Sequence, residues 1–152
     1  MNRSECRETI FKLLFVRLFS GVEEMQEQVE LYLSSMKEGR EDVPYGDTLS
    51  AADAAYITQK LNDVMEAVPA LDSLISDVSE GWKITRMNKV DLTILRLAVY
   101  EIFYDGDIPT GVAINEAVEL AKKFGGDDSP SFVNGILGKA ARRPGPSQAS
   151  DA

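Results

Sequence analysis

Apolar side chains recur along the chain at the three- and four-residue spacing of amphipathic helices, and alternation with a period of two is scarce. The first stripe lies in residues 4–20, where Ser4 can cap a helix and Gly21 can end it. Its members are Ile10, Phe11, Leu14, Leu18 and Phe19. A second stripe in residues 22–36 predicts another helix, and the turn-forming residues at 39–49 predict a loop.

A third helix is predicted to begin at Ser50, because Ser50 and Asp53 have the spacing of a capping box. Its apolar positions continue to Val68. Pro69 follows, and a proline can end one helix or occupy the first position of the next. Apolar positions resume beyond Pro69 and stop at Val78, which predicts a short fourth helix.

The most apolar segment of the chain is residues 88–104. Asn88 can cap it, and apolar side chains surround almost its whole circumference, as in a helix at the centre of a bundle. A further helix has its apolar positions between residues 112 and 121. The last begins with Ser129 as N-cap and Pro130 at the first helical position. The pattern therefore predicts an all-α protein of about seven helices.

Three of the charged residues in this apolar segment carry structural expectations. Arg96 and Glu101 are surrounded by apolar neighbours in the sequence. Because a buried charge without a partner is costly, we expect each to be ion-paired or to lie at an edge of the helix. Asp91 lies in the first turn, where a carboxylate interacts favourably with the positive end of the helix dipole.

The composition excludes several kinds of catalytic and metal site. The 152 residues include no histidine and a single cysteine. A Ser-His-Asp triad, a Cys-His pair and every histidine-based zinc site are therefore excluded. The phosphate-binding loop and dinucleotide-binding motifs are absent as well. We therefore expect a binding protein rather than an enzyme, with no cofactor and no metal.

The sequence also predicts a cellular location. Residues 1–8 are too acidic for a secretory signal, and no apolar run approaches the roughly 18 residues that span a membrane. A lone Cys6 cannot form an internal disulfide, so nothing indicates an oxidising compartment. We expect a cytoplasmic protein that does not enter a membrane.

The formal net charge of −9 is unevenly distributed. Residues 1–20 carry +2, residues 21–80 carry −11, and residues 81–143 carry +1. A negative protein repels nucleic acid at long range, yet salt screens charges beyond about 8–10 Å, so local patches act separately. The acidic middle is either a solvated helical surface or a complement to a basic partner.

A series of linked motifs in the C-terminal half is more specific than the periodicity. They are Trp82, then DLTILRLAVYE at 91–101, Ile108-Pro109, VAINEAVELAKKFG at 112–125, Ser129, and FVNGIL at 132–137. Their order resembles the C-terminal half of the NusB family, bacterial transcription antitermination factors. The N-terminal half matches that family by its helix count and by the pair Arg7-Glu8.

The resemblance implies a NusB-like antitermination fold, a single helical domain over residues 1–143. It implies packed subdomains at about 1–80 and 81–143, and we expect a disordered tail at 144–152. It further implies a non-enzymatic factor that binds boxA-type single-stranded RNA together with NusE, a ribosomal protein of the small subunit. Such a factor helps RNA polymerase in the antitermination complex to resist termination, notably on ribosomal RNA operons.

The resemblance also implies a set of RNA-binding residues. In the N-terminal helix they are Arg3 and Arg7, in a stretch with fewer arginines than is typical of the family. The others are Lys122, Lys123, Phe124, Asp128 and Phe132. Asp91 matches an acidic family position on the NusE-facing side.

The residues themselves leave alternatives open. Arg3 and Arg7 share a helical face and can grip phosphate, or they are exposed and balanced by neighbouring glutamates. Phe124 and Phe132 can stack on bases or pack in a core. Phe11, Phe15 and Phe19 recur every four residues, which fits core packing or a contact between two copies of the chain in a homodimer. The alternative function is an RNA-independent helical module for protein–protein interaction.

Overall fold

The computed structural model describes residues 1–19, 50–80 and 83–144, and every regular element in these ranges is helical. Within these described ranges, five α-helices and one short 3₁₀ turn follow one another. They are α1 (Arg3–Phe19), α2 (Ala51–Val78), the turn Ile84–Arg86, α3 (Lys89–Tyr104), α4 (Thr110–Phe124) and α5 (Ser129–Ala140). The all-α prediction is confirmed, and none of these helices is both long and apolar enough to cross a membrane.

Three of the sequence predictions fall outside the described residues. They concern the helix at 22–36, the loop at 39–49 and most of the tail at 144–152. Trp82 lies outside as well. The number of helices can therefore be compared only over the described part of the chain.

The predicted break at Pro69 is wrong, because the 28-residue helix α2 runs through this residue without interruption. The proline ring is exposed, so its missing N–H lies on the solvent side of the helix. Apolar positions on both sides of Pro69 are buried, and that burial favours one continuous helix over two. These positions are Ile57, Leu61, Val64, Leu71, Leu74, Ile75 and Val78.

The chain divides into two compact units, Met1–Asp63 and Val64–Ala152, with the boundary inside α2. The subdomains at about 1–80 and 81–143 that the resemblance implies stay a prediction. In the first unit, α1 buries Ile10, Phe11 and Leu14 of the predicted apolar stripe, whereas Phe19 at its end is 38% exposed. The Arg17 guanidinium donates a hydrogen bond to Asn62 Oδ1 at 2.9 Å, which links α1 to α2.

In the second unit, α3, α4 and α5 pack against one another. Helix α3 is the most enclosed of the three, since residues 91–99 are all buried. This confirms the prediction of a central buried helix. Glu101 is 1% exposed, so it lies inside the helix bundle rather than at an edge.

Arg96 is the buried cation of α3, and it is paired as predicted. Its Nε donates to Asp72 Oδ1 at 2.7 Å, and its second guanidinium nitrogen donates to Asp72 Oδ2 at 2.8 Å. A two-point contact of this kind fixes both distance and orientation. It ties α3 to the C-terminal part of α2 within the second unit.

We predict that Asp72→Ala destabilises the protein by about 2 kcal/mol, because it leaves the nearly buried Arg96 guanidinium without its counter-charge. Asp77→Ala is the matched control on the same helix. Its ion pair with Arg143 is 3.6 Å long and about half exposed on both sides, so we expect a loss below about 0.5 kcal/mol. Urea unfolding of both variants measures the difference. Equal losses would show that the Arg96 contact is not structurally important.

Candidate functional site

A cavity of about 460 Å³ lies in the second unit where α3 and α5 begin. Its wall combines charged, polar and aromatic side chains. They are Arg86, Met87, Asn88, Asp91, Asp127, Asp128, Ser129 and Phe132, together with Gly126. Three of the residues predicted to bind RNA or NusE, namely Asp91, Asp128 and Phe132, therefore line one cavity.

Asn88 fixes the α3 side of the cavity. Its side-chain oxygen accepts hydrogen bonds from the backbone N–H groups of Val90 at 2.8 Å and Asp91 at 3.4 Å. This is the N-cap that the sequence predicted, and it satisfies donors that a helix start leaves free. The cap holds Asp91 in the first turn of α3.

Asp91 is the unusual group in the wall. The residue is only 8% exposed, and its Oδ1 has no hydrogen-bond partner among the residues that the structure describes. A buried carboxylate oxygen without a donor costs free energy, and folded proteins rarely retain one. The positive end of the α3 dipole offsets part of that cost. A donor supplied by a ligand would satisfy the remaining acceptor.

The α5 side of the cavity depends on a close approach between two residues. A Cβ atom on Gly125 would lie 2.5 Å from the side chain of Ser129 and 2.8 Å from the carbonyl oxygen of Ala121. Only glycine fits there, and it lets the chain turn tightly after α4. The Gly126 N–H then donates to Ser129 Oγ at 3.0 Å.

The predicted start of α5 is one residue too late. Helix α5 begins at Ser129, with Asp128 in the N-cap position and Pro130 beyond the first helical residue. Ser129 does not cap the helix because its hydroxyl is used by the Gly126 N–H. Asp128 makes no side-chain capping hydrogen bond and is exposed.

The last turn of α4 carries the other predicted residues of this unit, and none of them lines the cavity. Lys122 and Lys123 are exposed, and Phe124 is half-buried. Lys122 Nζ lies 3.3 Å from a Glu119 carboxylate oxygen, and Lys123 Nζ lies 5.5 Å from the centre of the Phe124 ring. An exposed ion pair contributes little, so the charge of Lys122 remains open to competing anions.

The two predicted arginines lie in the first unit, on α1, in different environments. Arg3 is exposed, and its guanidinium carbon lies 4.2 Å from the centre of the Tyr56 ring. Arg7 is only 6% exposed. The alternative in which both arginines are exposed is therefore wrong for Arg7, because the buried surface of α1 already includes its second turn.

The start of α1 is held by contacts that the sequence analysis missed. Asn2 and Glu5 form a reciprocal cap, in which the Asn2 N–H donates to Glu5 Oε1 at 2.9 Å and the Glu5 N–H donates to Asn2 Oδ1 at 2.8 Å. This replaces the predicted cap at Ser4. The spacing Asn-x-x-Glu was the available signal.

The terminal ammonium of Met1 lies 3.1 Å from Asp53 Oδ2. That hydrogen bond raises the pKa of the amino terminus and lowers the pKa of the Asp53 carboxyl. The Asp53 N–H donates to Ser50 Oγ at 3.0 Å, as expected for the predicted cap. Asp53 therefore takes part in the cap at the start of α2 and also binds the amino terminus.

The described residues hold no group of three or more Cys, Asp or Glu side chains that could bind a metal ion. The candidate site combines the buried acceptor of Asp91, the exposed lysines at the end of α4, and the rings of Phe124 and Phe132. Such groups bind partners through hydrogen bonds, ion pairs and stacking.

Comparison with known proteins gives the same family throughout. The profile of the NusB family matches residues 4–142. The transcription antitermination protein NusB of Agathobacter rectalis is 47% identical over 141 residues, which cover 93% of this chain and all of that protein. The protein of the same name from Ruminiclostridium cellulolyticum is 40% identical and covers 99% of this chain and 95% of its own length.

The chain belongs to the NusB family. The structure of T. maritima NusB superposes with a TM-score of 0.76 at 30% identity, covering 100% of this chain and 99% of that one. The solution structure of NusB from Aquifex aeolicus shares the fold with a TM-score of 0.70, at 22% identity, over 99% of this chain and 92% of the other. Family membership, rather than any missing side chain, supports the prediction that the chain is not an enzyme.

We predict that the ion pair between the amino terminus and Asp53 stabilises the protein only in a middle range of pH. Because the pKa of Asp53 is lowered, its contribution is lost as the pH falls through that lowered value. Because the pKa of the amino terminus is raised, the contribution is also lost as the pH rises through that raised value.

Urea unfolding of the wild type and of Asp53→Asn across the pH range tests this. The difference between the two should be constant near neutrality and vanish at both ends. Asp63→Asn is the control on the same helix, because Asp63 accepts from the neutral Gln59 amide at 2.9 Å. The difference in unfolding free energy between the wild type and Asp63→Asn should therefore not decrease at alkaline pH. A pH-independent difference for Asp53→Asn would contradict the assignment.

Proposed function

We propose that the protein is a transcription antitermination factor that binds boxA-type RNA together with NusE and helps RNA polymerase resist termination, notably on ribosomal RNA operons. The observation that carries the proposal is the unpartnered Asp91 carboxylate oxygen in the cavity of a NusB-family chain. A protein factor with a buried acceptor awaiting a donor is suited to assembly with a partner. A role in transcription implies action in the cytoplasm.

Asp91 is the proposed contact for NusE. The cavity wall carries three carboxylates, from Asp91, Asp127 and Asp128, against the one guanidinium of Arg86. Such a wall attracts a lysine or arginine side chain of a basic ribosomal protein. A cation that reaches Asp91 gains a partly desolvated counter-charge and supplies the missing hydrogen bond.

RNA is the proposed ligand for Asp128 and Phe132 at the cavity and for the last turn of α4. Asp128 has no capping bond, so its carboxylate can accept a hydrogen bond from a base amino group. Phe132 and Phe124 are half-buried, which leaves ring surface on which an unstacked base can lie. Lys122 and Lys123 supply exposed positive charge for the phosphates.

The second candidate function is a helical interaction module that works without RNA. The burial of Arg7 favours it, because only Arg3 of the two predicted arginines is exposed on α1. Arg7 would have to leave its buried position to reach a phosphate. The two candidates differ in whether NusE binding is accompanied by RNA binding.

We predict that Asp91→Asn weakens binding of NusE by at least about tenfold, because the charge that pairs with the basic partner is lost. The variant should fold normally and keep or increase its thermal stability, since an unpartnered buried charge is removed. Isothermal titration calorimetry measures the affinity. Asp127→Asn removes an exposed carboxylate from the same wall and should change the affinity less than threefold. Equal effects would indicate general electrostatics instead of a contact at Asp91.

We predict that the isolated protein binds boxA-type RNA weakly and that NusE strengthens this binding. The net charge of −9 repels RNA at long range until a basic partner joins. Fluorescence anisotropy with and without NusE measures both affinities. Replacing Lys122 and Lys123 by Ala should weaken binding and flatten the slope of log K against log salt by roughly 1.4, if each contacts one phosphate of a single strand.

The control removes the same charge elsewhere. Lys83 and Lys139 are exposed lysines outside the proposed RNA surface, and replacing both by Ala should leave the salt slope unchanged. Equal slopes for the two double variants would contradict the assignment of Lys122 and Lys123. NusE binding without any RNA affinity would instead favour the RNA-independent module.

A further inference from the structure

Tyr56 is the neighbour of the exposed Arg3 side chain. The two lie on different helices of the first unit, Arg3 at the start of α1 and Tyr56 in the first turns of α2. The guanidinium carbon is 4.2 Å from the ring centre, the geometry of a cation resting on an aromatic face. Arg3 is exposed and Tyr56 is half-buried, so the ring supports the cation from the protein side.

Among the described residues of this unit, the carboxylates of Glu5, Glu8 and Asp53 are engaged by other groups. Glu5 accepts a backbone hydrogen bond in the reciprocal cap of α1. Glu8 pairs with Lys12 at 3.4 Å, and Asp53 pairs with the amino terminus at 3.1 Å. An aromatic ring therefore holds Arg3 in place, and a ring does not neutralise the positive charge as a carboxylate would.

The Tyr56 ring is itself fixed at its hydroxyl end. Lys60, one turn further along α2, donates a hydrogen bond from Nζ to the Tyr56 hydroxyl oxygen at 3.3 Å. Lys60 is only 6% exposed, so this anchor lies in the interior. The Tyr56 ring on which Arg3 lies is therefore held in position. Independently, the ion pair of Met1 with Asp53 holds the start of α1.

We propose that Tyr56 is a positioning residue that holds the Arg3 guanidinium in place for contact with an RNA phosphate. This inference rests on the proposed RNA-binding function. A free arginine side chain loses much rotamer freedom when it binds, and a guanidinium already resting on a ring has lost part of it beforehand. Tyr56 touches no RNA in this arrangement and acts only through Arg3.

The test is a double-mutant cycle with the full chain, NusE and a boxA-type RNA oligonucleotide, read by fluorescence anisotropy. Its variants are Arg3→Ala, Tyr56→Leu and the two combined. Tyr56→Leu should weaken RNA binding by about two- to fivefold, the range that a cation–π contact supplies. In the Arg3→Ala background the same change should have no further effect, since Tyr56 then has nothing to position.

Tyr56→Phe is the matched control. It keeps the ring face and removes the hydroxyl that Lys60 contacts, so RNA affinity should stay within twofold of the wild type. Circular dichroism and thermal melting check that each variant is folded. Should Tyr56→Leu fail to fold, the proton shifts of the Arg3 side chain in the wild type and in Tyr56→Phe decide, because a ring beneath the guanidinium moves them upfield. The absence of that shift overturns the proposal.

The outcomes separate this inference from the function on which it rests. A complex with NusE that binds no boxA-type RNA overturns the proposed function, and the positioning role falls with it. If Arg3→Ala weakens binding while Tyr56→Leu does not, only the positioning role is overturned. The same holds if Tyr56→Leu weakens binding equally with and without Arg3, or if Tyr56→Phe is as weak as Tyr56→Leu.

Discussion

The burial of α3 is the constraint on which the second unit depends. Residues 91–99 of this helix are buried, so water is largely kept from the charged groups among them. Arg96 meets this constraint through its two-point contact with Asp72. The second part of α2 is thereby fixed against α3, and the start of α3 has a defined position in the cavity wall.

Asp91 lies on the same helix, but unlike Arg96 it has a polar atom without a partner among the described residues. Five residues before Arg96, it is as deeply buried as the arginine, yet one of its oxygens has no donor in the described part of the chain. A protein selected only for stability would replace or pair such a group. The contrast separates a charge that is satisfied within the fold from a carboxylate whose Oδ1 lacks a donor among the described residues.

Periodicity anticipated the helices well because their buried faces are continuous, and it failed where a local signal was overruled by packing. Pro69 was taken as a break because proline lacks an N–H, but its ring is on the exposed side of α2 and the apolar positions on both sides are buried. The N-cap of α5 was placed one residue too late, at Ser129, whose hydroxyl accepts from the Gly126 N–H. Residue spacing alone determines neither whether α2 continues through Pro69 nor which residue caps α5.

The candidate site was predictable in its chemistry and less so in its geometry. The motifs pointed to Asp91, Asp128 and Phe132, which meet at one cavity. The burial of Arg7 depends on what packs around the second turn of α1, and spacing from Arg3 contains no such information. Tyr56 resembled any apolar position of a helical stripe, so its contact with Arg3 had no sequence signal.

The distribution of charge explains why a factor with a net charge of −9 still has a use for a few exposed cations. At cellular salt the field of a charge more than about 8–10 Å away is largely screened, so a phosphate responds mainly to the groups that touch it. Arg3 on its aromatic support and the lysines at the end of α4 then act locally. The acidic wall around Asp91 disfavours phosphate and favours a basic protein side chain. In the proposed assembly, phosphates would lie against these exposed cations, and the cavity that holds Asp128 and Phe132 would meet a base and a cationic side chain of the partner.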